Sequence, residues 1–201
     1  RLKLFFALSR TPHGLLDMVT PILGALLWCD DFPSLKVSGL GIMTVFSGYT
    51  AVYALNDVVG YRSDKKKLQQ GKLREIDDCQ DLDAILVRHP MARGLLSFKE
   101  GLIRAIAWAL LALIGAYLLN PICVLIFVGS CVLETIYCYM WNVSPSRTLI
   151  SGAVKTAGPI AAVFAVDPNP AISYVLVLFL LLFFWEIGGQ NVPNDWIDLE
   201  E

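Results

Sequence analysis

The chain has 201 residues, with 18 acidic and 16 basic side chains and a net charge of −2. Hydrophobic residues make up 56% and charged residues 17%, and mean hydropathy is +0.59. Apolar residues fall in blocks of membrane-spanning length with the charges confined between them, which excludes an ordinary soluble domain. Blocks of about 20 residues at 1.5 Å rise each imply helices, because unpaired backbone groups are too costly in lipid.

In chain order, residues 1–13 are basic and polar, with Arg1, Lys3, Arg10 and His13. A first span is expected over 14–28, then a turn at Asp30, Asp31 and Pro33, then a second span over 35–59. Gly39, Gly41, Ser47 and Gly48 of the second span are small residues of the kind that let helices approach closely. A polar loop is expected over 60–99, and ten of the sixteen Lys and Arg residues fall between Arg62 and Arg104. Four more spans follow, over 102–119, 122–141, 149–166 and 171–187. The expected fold is all-α: one polytopic transmembrane helix bundle, a single membrane domain over 1–201.

The positive-inside rule places the N-terminus, the 60–99 loop, the Arg147 turn and the C-terminal segment in the cytoplasm. Cys29, Cys79, Cys123, Cys131 and Cys138 show no metal spacing and no disulfide framework. Beginning at Arg1 and ending inside an acid cluster at Glu201, the sequence reads as a piece of a longer chain.

Two acid clusters flank apolar runs on the expected cytoplasmic side. The first is Asn56-Asp57-Val58-Val59-Gly60-Tyr61-Arg62-Ser63-Asp64, and the second is Asn194-Asp195-Trp196-Ile197-Asp198-Leu199-Glu200-Glu201. Asp57 and Asp64 are two turns apart and share a face if the helix continues past Gly60. Asp195 and Asp198 are i, i+3 and also share a face. Two such faces would repel each other unless Mg²⁺ joined them, and Mg²⁺ is usually held by one or two carboxylates plus substrate phosphate. Arg62, Lys65, Arg93, Arg147 and Lys155 are cations suited to the same phosphate. Acids, metal and cations at the end of a lipid-facing bundle suit an apolar chain carrying a diphosphate head. The competing reading is a set of solvated acids capping spans at the interface.

Ionisable residues inside spans are functional candidates. Lys155 is read as a diphosphate contact, against snorkelling to the interface. Glu134 is read as pairing with a polar group on another helix or binding an acceptor, Glu186 as interfacial, and Asp17 as lining an acceptor pocket or solvated. Tyr139 is read as cation-facing or acceptor-orienting. His89 is read as solvated or a weak phosphate contact. The run Asp77-Asp78-Cys79-Gln80-Asp81 is a second Asp-Asp-x-x-Asp pattern, an alternative metal site or a solvated loop.

The first cluster resembles the Asn-Asp-x-x-Asp-x-x-x-Asp signature of the UbiA superfamily of intramembrane prenyltransferases. His89-Pro90-Met91-Ala92-Arg93-Gly94-Leu95-Leu96-Ser97 is similar to that family's Arg-Pro-Leu-x-Ser-Gly segment. Tyr137, Tyr139 and Arg147 lie where the family has a Tyr and then a basic residue, and the second cluster resembles its second Asp-rich motif. Arg10-Thr11-Pro12-His13 is similar in kind to its N-terminus. One position departs: Gly60 stands where the family has its central Asp, and Asp57 is the substitute from the previous turn.

The resemblance implies six spans of a nine-span fold and Mg²⁺-dependent transfer of a polyprenyl group from its diphosphate to a small-molecule acceptor. It implies Asp57, Asp64, Asp195 and Asp198 as catalytic metal ligands. Asn56, Arg62, Arg93, Tyr139, Arg147, Lys155 and Asn194 would bind substrate. The implied partners are prenyl diphosphate, an acceptor and membrane lipids, with no nucleic acid.

Two other classes compete. A CDP-alcohol phosphotransferase would need an Asp-Gly-x-x-Ala-Arg run, which is absent. A transporter or non-catalytic lipid-binding protein of the same fold would centre on Glu134 and Glu186 and tolerate loss of Asp57 and Asp198.

Overall fold

The computed structural model describes residues 1–71, 86–140 and 143–192. Among these residues it is all helical. In order come α1 (Leu2–Leu8), α2 (Thr11–Asp17), α3 (Val19–Cys29), α4 (Leu35–Gln69), α5 (Phe98–Leu119), α6 (Pro121–Met140), α7 (Arg147–Val166) and α8 (Ile172–Trp185). A π-helical turn, Glu186–Asn191, extends α8. Six segments are long and apolar enough to cross a membrane: Thr11–Cys29, α4, α5, α6, α7 and Ile172–Asn191.

The burial pattern suits lipid rather than water. Leu125, Leu181 and Val177 face outward, while Ser47, Thr50, Ser130 and Thr156 are buried. Lipid gives no hydrophobic drive between helices, so close backbone contact holds the bundle. A Cβ on Gly115 of α5 would lie 2.1 Å from Thr44 Oγ1 of α4, and one on Gly158 of α7 would lie 2.6 Å from the Tyr49 hydroxyl. Gly39 and Gly41, expected to serve this role, meet nothing within 4 Å. Spacing along the helix does not say which face meets a neighbour.

Two expected boundaries change. The first span is broken: Arg10 is left-handed at φ 41°, Pro12 opens α2, and the chain bends again at Met18 between α2 and α3. The second helix does not stop at residue 59. It runs to Gln69 and closes on Gly71, whose φ of +67° suits a helix C-terminus. Residues 60–69, expected in a loop, are helical because Asn56 to Lys67 carries no helix breaker except the tolerated Gly60.

The return from the polar loop is anchored tightly. The Leu95 and Leu96 amides both donate to the Pro90 carbonyl, at 2.9 and 3.2 Å. Met91 and Leu96 pack into a buried cluster with Leu8, Ala54 and Ala105. Ser97 then opens α5 with a reciprocal cap: its hydroxyl accepts from the Glu100 amide, and Glu100 accepts from the Ser97 amide. At the opposite end of the bundle, Trp28 Nε1 donates to Asp167 Oδ2 at 3.1 Å and Asn120 Nδ2 to the Phe164 carbonyl at 2.9 Å.

Candidate functional site

The unbroken α4 decides the geometry of the first cluster. At about 100° per residue, Asn56, Asp57, Gly60 and Asp64 fall on one face. Gly60 leaves room on that face: a Cβ there would lie 3.1 Å from Asp64 Oδ2, so the Asp64 carboxylate occupies space beside the missing side chain. Asp57 is 4% exposed and lies deepest.

His89 enters from the anchored turn and meets both carboxylates. Its Nδ1 is 3.0 Å from Asp64 Oδ2 and 3.5 Å from Asp57 Oδ1. These are ion-pair contacts rather than well-aligned hydrogen bonds, since the buried Nδ1 has no partner of good hydrogen-bond geometry. Burial pushes the imidazole pKa down, but the two carboxylates outweigh it and hold His89 above its ordinary value. The expectation of a solvated loop histidine is therefore corrected. The backbone of Met91 and Leu96 carries His89 into the bundle, where the sequence alone shows only a polar loop.

A second polar group lies along the same surface. Asn56 Nδ2 donates to Glu134 Oε1 of α6 at 2.5 Å, so Glu134 pairs with another helix. Lys155 of α7 donates to both Asp17 and Tyr53, and Tyr53 also donates to Asp17. The breaks around α2 bring Asp17 there, with His13 edge-on to the Tyr53 ring at 5.8 Å between centroids. Glu186, expected at the interface, is 6% exposed within the π-helical turn. Ser151 donates to Asn191 Oδ1 at 3.2 Å at the end of that turn.

Apart from Asp57 and Glu186, these groups line one cavity of about 1360 Å³. Asn56, Gly60, Asp64, His89, Glu134, Lys155 and Asn191 line it at the polar end. It continues down α4 through Tyr49, Val45 and Ile42 to Val37. From Lys67 to Val37 the lining follows 30 residues of helix, about 45 Å at the α-helical rise. An anionic head and a long apolar tail match that polarity gradient.

The other expected binding residues are placed differently. Tyr139 is 73% exposed, while Tyr137 of the same helix lines the cavity. Residues two positions apart on a helix diverge by about 200°, so only one of the pair can face inward. Arg93 donates from Nε to the Arg88 carbonyl at 3.0 Å and braces the turn. Arg62 is exposed, and neither it nor Arg147 is among the cavity-lining residues. Asn194, Asp195, Asp198 and the 77–81 acid run lie outside the described residues. Sequence reasoning missed Tyr53 and Asn191. Tyr53 lies one turn before the Asn-Asp pair on the face that carries Asn56 and Gly60, which is the signal that could have found it.

The donor set fits a divalent cation in part. Asp57 and Asp64 supply two carboxylates, and with His89 their ligand atoms all lie within 4.8 Å of one another. Gly60, on the same helix face, adds no side-chain donor to the set.

A polytopic helical bundle with acids at the mouth of a long apolar cavity defines an intramembrane protein. The sequence matches the UbiA prenyltransferase family profile over residues 18–201, and the chain belongs to that family. It is a multi-pass integral membrane protein. Among solved structures it is similar to a digeranylgeranylglyceryl phosphate synthase, at TM-score 0.74 and 18% identity, covering 100% of this chain and 65% of that one. It is also similar to a UbiA homologue from Archaeoglobus fulgidus bound to GPP and Mg²⁺, at TM-score 0.64 and 16% identity, covering 89% and 59%. A third is the apo UbiA homologue from Aeropyrum pernix K1, at TM-score 0.67 and 19% identity, covering 88% and 60%. Identities this low establish the fold alone, and the chain spans about two thirds or less of the length of these proteins. No curated protein matches the sequence significantly.

Proposed function

We propose that the protein containing this chain is a prenyltransferase that moves a polyprenyl group from a prenyl diphosphate to a small-molecule acceptor at the cytoplasmic membrane face. The observation that carries the reading is the cavity, whose polar head holds Asn56, Asp64, His89 and Lys155 and whose apolar part follows α4 from Val52 to Val37, about 22 Å. The A. fulgidus homologue of the same fold holds GPP and Mg²⁺, which supports a diphosphate head at the acid end.

Asp57 and Asp64, with Asp195 and Asp198 of the second motif, are the residues proposed to hold Mg²⁺. A bound divalent cation supplies charge neutralisation to a diphosphate leaving group. The residues supply the rest. Lys155 offers a cation to the diphosphate, at the cost of its contact with Asp17. Asn56, fixed by Glu134, presents its amide at the head of the cavity. The apolar walls hold the tail and exclude water, so that the allylic carbon, once its bond to the diphosphate oxygen breaks, is captured by the acceptor. Asp17 and Tyr53 lie where an acceptor carrying a hydroxyl would meet polar partners. The acceptor's proton leaves when the new bond forms.

The test is Mg²⁺-dependent binding of geranyl diphosphate to the detergent-solubilised, full-length protein, wild type against Asp57→Asn and Asp64→Asn. Binding that requires Mg²⁺ and collapses in both variants is expected. Equal binding by the variants refutes the site, and the lipid-binding reading then takes over.

A further inference from the structure

The prenyl diphosphate reading gives His89 no chemical role, although its ring touches both carboxylates. Its Nδ1 lies 3.0 Å from Asp64 Oδ2 and 3.5 Å from Asp57 Oδ1. A first-row cation with nitrogen and oxygen ligands at about 2.1 Å holds neighbouring ligand atoms about 3.0 Å apart in an octahedron and about 3.4 Å apart in a tetrahedron. Both nitrogen-to-oxygen separations are therefore already those of ligands on one ion, and all three ligand atoms fall within 4.8 Å.

The imidazole is held there by the fold. His89 has a φ of 51°, in the left-handed region that non-glycine residues rarely adopt. The next residue, Pro90, is fully buried, and Met91 is 2% exposed in the cluster with Leu8 and Ala105. Gly60 removes an oxygen donor from the same face and leaves Asp64 free to lean over it. The set is thus two carboxylates and one imidazole. Mg²⁺ takes an octahedral oxygen environment, whereas imidazole suits first-row transition ions.

We propose that Asp57, Asp64 and His89 form a binding site for a first-row transition cation such as Mn²⁺, with His89 Nδ1 as a direct ligand. The site shares Asp57 and Asp64 with the proposed prenyl diphosphate site and rests on that reading, but it replaces Mg²⁺ at these two carboxylates with a cation that accepts an imidazole ligand. Asp64 and His89 line the cavity, so a diphosphate oxygen or water there would complete the coordination.

The experiment uses the full-length protein in detergent, stripped with a chelator and titrated with Mn²⁺ under electron spin resonance. Pulsed measurements on bound Mn²⁺ report coordinated ¹⁴N directly. Wild type is expected to bind with a nitrogen signal. His89→Gln should weaken Mn²⁺ binding at least about tenfold, since losing a ligand costs no less than losing a group that merely orients one. His89→Glu restores an oxygen donor and should bind Mn²⁺ without the nitrogen signal, which separates loss of the ligand from loss of the fold. Bound Mn²⁺ with no nitrogen signal in wild type, or equal affinity in His89→Gln, overturns the proposal. Geranyl diphosphate binding by wild type in the same preparation tests the prenyl diphosphate reading separately. Its absence alongside a nitrogen signal refutes that reading and leaves the metal site standing.

Discussion

Replacing Gly101 by Ala should destabilise the protein, although in most helices the same change does the opposite. Gly101 lies in the first turn of α5, and a Cβ there would come within 2.2 Å of Met91 Sδ, 3.2 Å of Cε and 3.3 Å of Cγ. Met91 is buried among Leu8, Ala54, Leu96 and Ala105, so its side chain has nowhere to retreat. Gly→Ala in a helix normally gains about 0.5–1 kcal/mol from reduced backbone entropy. Overpacking a filled site costs about 1–3 kcal/mol. The balance is up to about 2.5 kcal/mol of destabilisation, centred on about 1 kcal/mol, or roughly 2–4 °C of apparent melting temperature for a chain of this size. Gly129 on α6 is the internal control, because a Cβ there meets nothing within 4 Å. Gly129→Ala should hold or raise the melting temperature. The assay is thermal unfolding in detergent of wild type and both variants side by side. If Gly101→Ala melts at or above wild type, the anchoring of the His89 turn by Met91 is wrong, and with it the claim that the fold pre-positions the imidazole.

Four further outcomes follow from the site. Glu134→Gln keeps an oxygen to accept from Asn56 Nδ2 and should retain most geranyl diphosphate binding. Glu134→Leu forfeits a hydrogen bond worth about 1.5–3 kcal/mol and should weaken binding by about tenfold or more in the same titration. Asp17→Ala strands the half-buried Lys155 ammonium and should lower thermal stability more than Tyr53→Phe, which removes a neutral hydroxyl and leaves the Lys155–Asp17 ion pair in place; the reverse order in unfolding curves would refute the pairing. In metal-free protein, stability should fall as pH rises above the ordinary imidazole pKa of about 6.5. His89 is held above its ordinary value, so its stabilising charge is fully present below the unfolded pKa and is lost as pH climbs through the folded one. His89→Gln should flatten that part of the melting-temperature profile, and an unchanged slope counts against the ion pair.

Hydropathy by itself settled the six spans, because a block of about 20 apolar residues is a property of local composition and lipid enforces the helix. It also put Asn56 and Asp57 near the end of the second apolar run, although the helix itself carries on through Asp64 to Gln69, and the family followed from those residues together with the His89–Ser97 segment. Rotation about each helix axis was a different matter. Whether Tyr137 or Tyr139 faces inward depends on how α6 packs, and on a span that is apolar all round nothing in the sequence marks the inner face. The same holds for Gly115 and Gly158, which meet neighbours, against Gly39 and Gly41, which do not.

Partners distant in sequence were also invisible beforehand. Lys155 and Asp17 are 138 residues apart, and Glu134 and Asn56 are 78 apart. A buried ionisable group announces that it needs a partner without saying which one, because the choice is made by the packing of entire helices. His89 shows the limit most clearly: local composition makes it a loop residue, and only the burial of Pro90, Met91 and Leu96 turns its ring onto Asp57 and Asp64.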